Sequence, residues 1–202
     1  LGSPAFRDRV DYGNQTALNF TVNSTFTIVI IAKIITQTPC FWFGQGRNGA
    51  NPGGWELTSD ITIGGDFIFN FKDAGTQSSI GAGVATGGVF NPYTGFSTQT
   101  LTIIFVYKSH GGTADASSVR MWFNKDKQTI GKEGLSETWG NTATNRTQIG
   151  ADEDVADARK CDNNFDEIAV WNIDKTYGTD NGALALYEQS RREVSSVSIG
   201  GH

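Results

Sequence analysis

The sequence predicts an all-β protein, a two-sheet antiparallel β-sandwich of jelly-roll type with one short C-terminal helix. Three observations support this fold class. Of the 202 residues, 25 are Gly, and only 18% are charged. Short stretches of β-branched and aromatic residues alternate with turns rich in Gly, Asn and Thr, which is typical of sheets packed face to face. A single helical pattern follows the last apolar stretch.

The first part of the chain contains five predicted strands. Residues 17–22 alternate apolar and polar side chains, as a half-buried strand does, and residues 25–35 form a longer apolar stretch expected at the centre of a sheet. Three shorter strands are predicted at residues 41–43, 54–58 and 66–72. In the last of these, Phe67, Phe69 and Phe71 share one face because side chains repeat with a period of two along a strand.

The second part continues the β pattern and ends in the helix. Residues 73–98 form a connection long enough to predict a short strand or a functional loop inside it. Further strands are predicted at residues 101–107, 119–123, 128–130, 146–150 and 164–172, with a hairpin turn at 124–126. Asp180 or Asn181 is predicted to cap the helix, on which Leu184 and Tyr187 form an apolar i, i+3 pair.

Length and charge limit the organisation and the partners. We expect Leu1-Gly2-Ser3 to be the remnant of a cleaved tag and residues 4–202 to form a single domain. The net charge is −5 without a basic cluster, which argues against nucleic acid as a partner. No apolar run approaches the ~20 residues of a membrane-spanning helix, so membrane insertion is not expected. A Cys40–Cys161 disulfide and two buried thiols both remain open.

Several segments occur in an order and spacing typical of one superfamily. They are residues 18–20, 26–30, 101–107, 119–125, 149–150, 165–171 and 184–187. Together they resemble the laminin-G-like and pentraxin-like domains of the concanavalin A-like lectin/glucanase superfamily, over about residues 10 to 190. In the turn at 124–126, Asn-Lys-Asp stands where the family has an Asn-Gly-Lys-like sequence. The resemblance implies a concanavalin A-like sandwich, a fold that supports many functions.

The acidic loop before the last strand is a candidate Ca²⁺ site. Asp152, Glu153, Asp154 and Asp157 place four carboxylates within six residues, and Ca²⁺ prefers such oxygen ligands. The resemblance to pentraxins implies the same site, because their Ca²⁺ loop follows an equivalent Ile-Gly strand end. Further oxygens are expected from across the loop, from Asp162, Asn163, Asn164 and Asp166. The alternative is a solvated acidic loop.

A catalytic role for Asp166 and Glu167 is not expected. The superfamily's glucanases carry carboxylates at alternate positions of one strand, where they act as nucleophile and general acid. Here Ala169 and Trp171 occupy the positions two and four residues after Glu167. A structural role for the Asp-Glu pair is favoured, with Phe165, Ile168, Val170 and Trp171 packing inward as the resemblance implies.

Aromatic residues in polar loops suggest a glycan site. Trp42, Trp55, Tyr93, Phe96 and Trp139 lie among Gly, Asn, Thr and Pro, where flat rings stack on sugars and amides bind hydroxyls. The alternative is that these rings close the ends of the sandwich. Trp122 and Trp171 are assigned to the core.

The function expected from the sequence is non-catalytic recognition of a glycan or cell-surface glycoprotein. Such a lectin-like adhesion module would be extracellular or on a cell surface, with Ca²⁺ as its candidate cofactor. The alternative is a structural or fibre-tip interaction domain of a phage or bacterial surface assembly, on the virion surface in the phage case. A glycoside hydrolase is the third hypothesis. A homo-oligomer or a longer parent chain is expected because single sites of this kind bind modestly.

Overall fold

The computed structural model describes residues 10–33, 40–45, 53–60, 66–73, 76–82, 99–133, 138–140, 146–150 and 163–197. Within these ranges the chain forms strands β1 (Val10–Asp11), β2 (Thr25–Lys33), β3 (Cys40–Gln45), β4 (Gly53–Asp60), β5 (Asp66–Asp73), β6 (Thr76–Ala82), β7 (Thr100–Lys108), β8 (Val119–Phe123), β9 (Asp126–Lys127), β10 (Ile130–Glu133), β11 (Thr147–Ile149) and β12 (Asn164–Trp171). Helix α1 spans Asp180–Val197.

The strands form two antiparallel sheets. A seven-stranded sheet has the order β1-β11-β3-β4-β5-β6-β10, and a five-stranded sheet has the order β12-β2-β7-β8-β9. The predicted all-β, two-sheet sandwich with a C-terminal helix is confirmed. Strand β2, which was expected to lie at the centre of a sheet, is flanked by β12 and β7 in the five-stranded sheet.

The main core fills the space between the sheets. It is unusually aromatic: Phe67, Phe69 and Phe71 of β5 project into it together, as their period of two predicts. Phe69 contacts Phe26 and Phe105 of the facing sheet at ring-centroid distances of 6.3 Å and 5.0 Å. Aromatic side chains bury large apolar areas and gain further from tilted and edge contacts, so this cluster holds the two layers together.

Helix α1 covers the outer face of the five-stranded sheet. Ala183 and Leu186 of α1 are buried against Val29, Ile104 and Trp122 in a second apolar cluster. Leu184, by contrast, is 40% exposed. The predicted Leu184–Tyr187 pair therefore does not define the packed face. Ala183 and Leu186 face the sheet together because residues three positions apart lie on the same face of a helix.

The predicted strand over residues 17–22 is not a strand. A 3₁₀ turn covers Thr16–Leu18, and the edge strand of this region is Val10–Asp11. Phe20 and Val22 are nonetheless buried, with Phe20 stacked on Phe26 at 4.0 Å. Apolar and polar residues alternate here because this loop inserts apolar side chains into one end of the sandwich. The segment therefore has the burial pattern of a strand but lacks the hydrogen bonds to a neighbouring strand.

The later elements agree with the sequence except at their boundaries. The 124–126 turn is formed, with Asn124 at a φ of 54° between β8 and β9. The strand predicted at 128–130 lies instead at Ile130–Glu133, where it pairs with β6. The strand anticipated within 73–98 is β6, Thr76–Ala82.

Candidate functional site

Three of the predicted stacking residues lie in the core. Trp42 and Trp55 are fully buried, and Trp139 is 2% exposed. A buried indole offers no face to a sugar, so the prediction is wrong for these three residues. Trp55 and Trp139 project into the main core, where Phe69 contacts both.

Each of these indoles also has a hydrogen-bond partner inside the protein. Trp42 Nε1 donates to Ser59 Oγ (3.0 Å), and Trp55 Nε1 donates to the Leu18 carbonyl (3.2 Å). Trp139 Nε1 donates to Tyr107 Oη (3.3 Å). Burial raises the pKa of Tyr107, whose hydroxyl donates in turn to the Val22 carbonyl. Since a buried N–H without a partner is costly, these bonds fit a structural role.

The other predicted site residues divide between described and undescribed parts of the chain. Tyr93, Phe96, Asp152, Glu153, Asp154, Asp157 and Asp162 lie outside the described residues, as does Cys161. Asn163, Asn164 and Asp166 lie within them. In the described part of the chain, no group of three or more His, Cys, Asp or Glu side chains is placed to hold a metal ion. The calcium site therefore stays a prediction.

An open cleft of about 610 Å³ lies at one edge of the sandwich. It forms where β1, the edge of the seven-stranded sheet, faces β12, the edge of the five-stranded sheet. Its lining residues are Val10, Tyr12, Ile149, Asn163, Asn164, Phe165, Asp166, Glu167 and Ile168. In the described part of the chain, β1 has two residues and β12 has eight.

The cleft has an apolar side contributed by both sheets. Val10 and Tyr12 are 49% and 54% exposed, although both are large hydrophobic side chains. From the opposite sheet, Phe165 and Ile168 are partly buried and extend the main core towards the opening. An exposed aromatic beside an apolar floor is the arrangement that ligand sites commonly use.

Residues of β12 and the position before it supply the polar side. Asn164 and Asp166 are exposed, Glu167 is partly exposed, and Asn163 is buried. A β-bulge lies between Phe165 and Glu167, which leaves Asp166 without a partner in the β2 register. Asp166 is thus the extra residue of the bulge, and its exposed side chain lines the cleft.

An ion pair fixes β1, the short strand that directly precedes Tyr12. Arg146 Nη2 lies 2.9 Å from Asp11 Oδ2, and Arg146 Nε donates to Asp11 Oδ1 at 3.2 Å. The Tyr12 amide donates to the Thr147 carbonyl, and the Thr147 amide donates to the Gly13 carbonyl. Two-point contact by Arg adds geometric definition to such a pair. Together these bonds hold Val10 and Tyr12 at the cleft.

A second polar cluster lies on the outer face of the seven-stranded sheet. Asn70 Nδ2 donates to Glu56 Oε1 (3.0 Å) and to Thr58 Oγ1 (2.9 Å), while Ser79 Oγ donates to Asn70 Oδ1 (2.6 Å). Glu56, Thr58 and Asn70 are all buried. Because these hydrogen bonds join β4, β5 and β6, we interpret the cluster as a tie between strands, and the edge cleft is the better candidate for a ligand.

Val10 and Tyr12 are the cleft residues that the sequence did not indicate. The signal was present as the alternation Val10-Asp11-Tyr12 ahead of Gly13. It is too short to distinguish from chance, since the strand it forms has two residues.

Comparison with solved structures shows the same fold. The NanB sialidase from Streptococcus pneumoniae matches at 15% identity with a TM-score of 0.55, covering 91% of this chain and 28% of that one. Tailspike protein 2 of an Escherichia coli O157:H7 bacteriophage matches at 10% identity with a TM-score of 0.52, covering 90% and 23%. A heptameric SAP-like pentraxin from Limulus polyphemus matches at 11% identity with a TM-score of 0.47, covering 90% and 82%.

No protein-family model matches the chain, and no curated protein matches it in sequence. The chain spans about a quarter of the sialidase and tailspike chains. None of the described helical segments combines the length and the hydropathy that a membrane crossing requires. At identities of 10–15%, the similarity to the sialidase and to the tailspike protein shows the fold alone, a jelly-roll β-sandwich.

Proposed function

We propose that this domain is a non-catalytic, lectin-like binding module that holds a glycan of an extracellular or surface ligand in the edge cleft. One observation carries the proposal: an exposed tyrosine, an apolar floor, two amide side chains and two carboxylate side chains line one open cleft of about 610 Å³. This volume falls within the range of small-ligand sites, and the combination of apolar surface with a few polar groups is typical of them.

The placement of the two carboxylates favours binding over hydrolysis. Glu167 pairs with Ile31 in the β2 register, whereas Asp166 sits at the bulge outside that register. A glycosidase needs two carboxyl groups aimed at one bond from opposing sides, at a separation set by its mechanism. Adjacent residues on an edge strand are poorly suited to this, although both can accept hydrogen bonds from sugar hydroxyls.

A glycan array probed with the wild-type domain and the Tyr12→Ala variant tests the proposal. Loss of an aromatic anchor is expected to weaken binding about tenfold or more. The matched control is Tyr177→Ala, since Tyr177 is 79% exposed and does not line the cleft. Equal binding by wild type and Tyr12→Ala would show that the cleft is not the site. Absence of binding to any glycan would overturn the proposal.

Assembly through an edge strand is the second candidate function. Strand β12 spans eight residues. It is the terminal strand of the described five-stranded sheet, where β2 pairs with it on one side. Such an edge can pair with another chain. The bulge and the carboxylates at residues 166 and 167 oppose this, because both are devices that protect edges from pairing. A stable oligomer of the isolated domain in light scattering would favour assembly.

A further inference from the structure

We infer that Asp11 is a positioning residue of the edge cleft, because its carboxylate orders the turn that presents the Tyr12 ring to a ligand. This inference rests on the proposed function and deepens it, since Tyr12 is the proposed aromatic contact. Asp11 is not one of the described residues that line the cleft. Its effect on a ligand therefore acts through Tyr12, its neighbour in the chain.

The Asp11 carboxylate holds this turn in two ways. Its Oδ1 atom accepts a hydrogen bond from the Gly13 amide at 2.8 Å, which forms an Asx turn around Tyr12. Gly13 has a φ of 67°, a conformation that glycine adopts without strain. The same carboxylate accepts from Arg146, from Nη2 at 2.9 Å and from Nε at 3.2 Å. One side chain thus closes the turn and ties it to the residue that precedes β11.

Backbone hydrogen bonds complete the attachment of Tyr12. The Tyr12 amide donates to the Thr147 carbonyl at 2.9 Å, and the Thr147 amide donates to the Gly13 carbonyl at 2.7 Å. The Tyr12 carbonyl accepts from Gln15 Nε2 at 2.6 Å. Both backbone polar groups of Tyr12 are therefore bound, whereas the residue remains exposed at the cleft. An aromatic ring on a fixed backbone loses less conformational entropy on binding than a ring on a free loop.

Glycan binding by variants of Asp11 tests the inference in the whole chain. We expect Asp11→Ala to weaken binding about three- to tenfold, although it removes no side chain that lines the cleft. Asp11→Asn keeps an oxygen that accepts from the Gly13 amide, so it should retain most of the affinity. In the Tyr12→Ala background, Asp11→Ala should have no further effect on binding, because the ring that it positions is absent.

Asp174→Ala is the matched control. Like Asp11, Asp174 accepts from the amide two residues further on, that of Thr176, and pairs with an arginine, Arg120. It follows β12 and is not one of the described residues that line the cleft. Both substitutions should lower stability, and only Asp11→Ala should lower the affinity. Thermal melting establishes that each variant is folded under the binding conditions.

Amide hydrogen exchange measured by NMR is a readout that needs no ligand. Asp11→Ala should accelerate exchange of the Tyr12 and Gly13 amides about tenfold or more, and Asp174→Ala should leave both rates unchanged. Wild-type affinity in Asp11→Ala would overturn the inference, as would an equal loss of affinity in the Tyr12→Ala background. If no glycan binds, the proposed function fails and the exchange rates alone decide the inference. An unchanged Tyr12 rate in Asp11→Ala would then overturn it.

Discussion

Phe165 and Ile168 project into the same core although they are three residues apart on one strand. Side chains three positions apart normally lie on opposite faces of a strand. The bulge at Asp166 removes this conflict, since it inserts an extra residue between Phe165, which pairs with Ala32, and Glu167, which pairs with Ile31. After the bulge, Ile168 and Val170 face the main core, and Trp171 faces the helix cluster.

Removing the bulge should be far more damaging than removing its side chain. Deletion of Asp166 would turn Phe165 away from the core or shift the rest of β12, because one residue changes the face of every side chain. We expect a loss of ~3–5 kcal/mol in the free energy of unfolding, comparable to truncating a buried Phe. Asp166→Ala should cost only ~0.5 kcal/mol, because the side chain is exposed. Urea unfolding measures both, and a tolerated deletion would contradict this account.

The limits of sequence reasoning are visible in β12. Its residues identified the fold correctly, and three of the four predicted core residues, Phe165, Ile168 and Val170, do face the main core. Trp171 was expected there too, but it packs on the other side of the sheet. A period of two cannot reveal a bulge, since the extra residue appears only when the partner strand is known. The cleft was hidden for a related reason, because topology brings Tyr12 and Asp166 together from distant parts of the chain.

The tryptophans show a second limit. Trp55 and Trp139 are adjacent to Gly and polar residues, which made them resemble exposed loop aromatics. Strand alternation nevertheless places Trp55 inward beside Phe71 in the β4–β5 register. Local polarity describes a segment, whereas burial is decided by which face of the strand meets the opposite sheet.

Trp139→Ala should strongly destabilise the fold. Its ring contacts Phe26, Phe69 and Tyr107, and its N–H binds Tyr107 Oη. We expect the free energy of unfolding to fall by ~3–5 kcal/mol, from lost burial and from the cavity left behind. Chemical denaturation measures the loss. The exposed Tyr177→Ala serves as the control and should change stability by no more than ~0.5 kcal/mol. A similar small loss for Trp139→Ala would contradict the assignment of this indole to the core.

Gly182→Ala should destabilise the protein although alanine favours helices. A Cβ added at Gly182 would lie 2.0 Å from the Thr176 carbonyl oxygen, so the backbone must shift. We expect a cost of ~1–3 kcal/mol in place of the ~1 kcal/mol gain that helix propensity alone predicts. Asn181→Ala, one position earlier and exposed, is the matched control. Stabilisation by Gly182→Ala in thermal or urea unfolding would refute the close contact.

Asp174 should contribute to stability above mildly acidic pH. Burial raises the pKa of this carboxyl, but hydrogen bonds from Thr176 and Arg120 and the Arg120 charge outweigh that effect, so its pKa is lowered. A lowered pKa in the folded state stabilises the protein above the unfolded-state value, and this stabilisation is lost as the pH falls through the folded-state value. We expect the urea midpoint of Asp174→Asn to decline less than that of wild type below about pH 4. If the urea midpoints of Asp174→Asn and wild type fall by the same amount, this role is refuted. Asp126→Asn, which removes an exposed carboxylate, is the control.

Calcium should stabilise the domain if the loop between β11 and β12 binds it. Ile149 and Asn163, which flank this acidic segment, both line the cleft, so an ion held there would bear on the ligand site. An ion that binds only the folded state contributes ~2.7 kcal/mol at a concentration one hundred times its Kd, which is roughly 5–10 °C in melting temperature for a domain of this size. Thermal melting with millimolar Ca²⁺, with Mg²⁺ and with EDTA measures the shift. We expect Asp152→Asn combined with Asp154→Asn to abolish it, and Asp126→Asn to retain it. An unchanged melting temperature in Ca²⁺ would contradict the calcium prediction. It would not affect the proposed glycan site, because the proposed contacts of Tyr12, Asn164 and Asp166 need no metal.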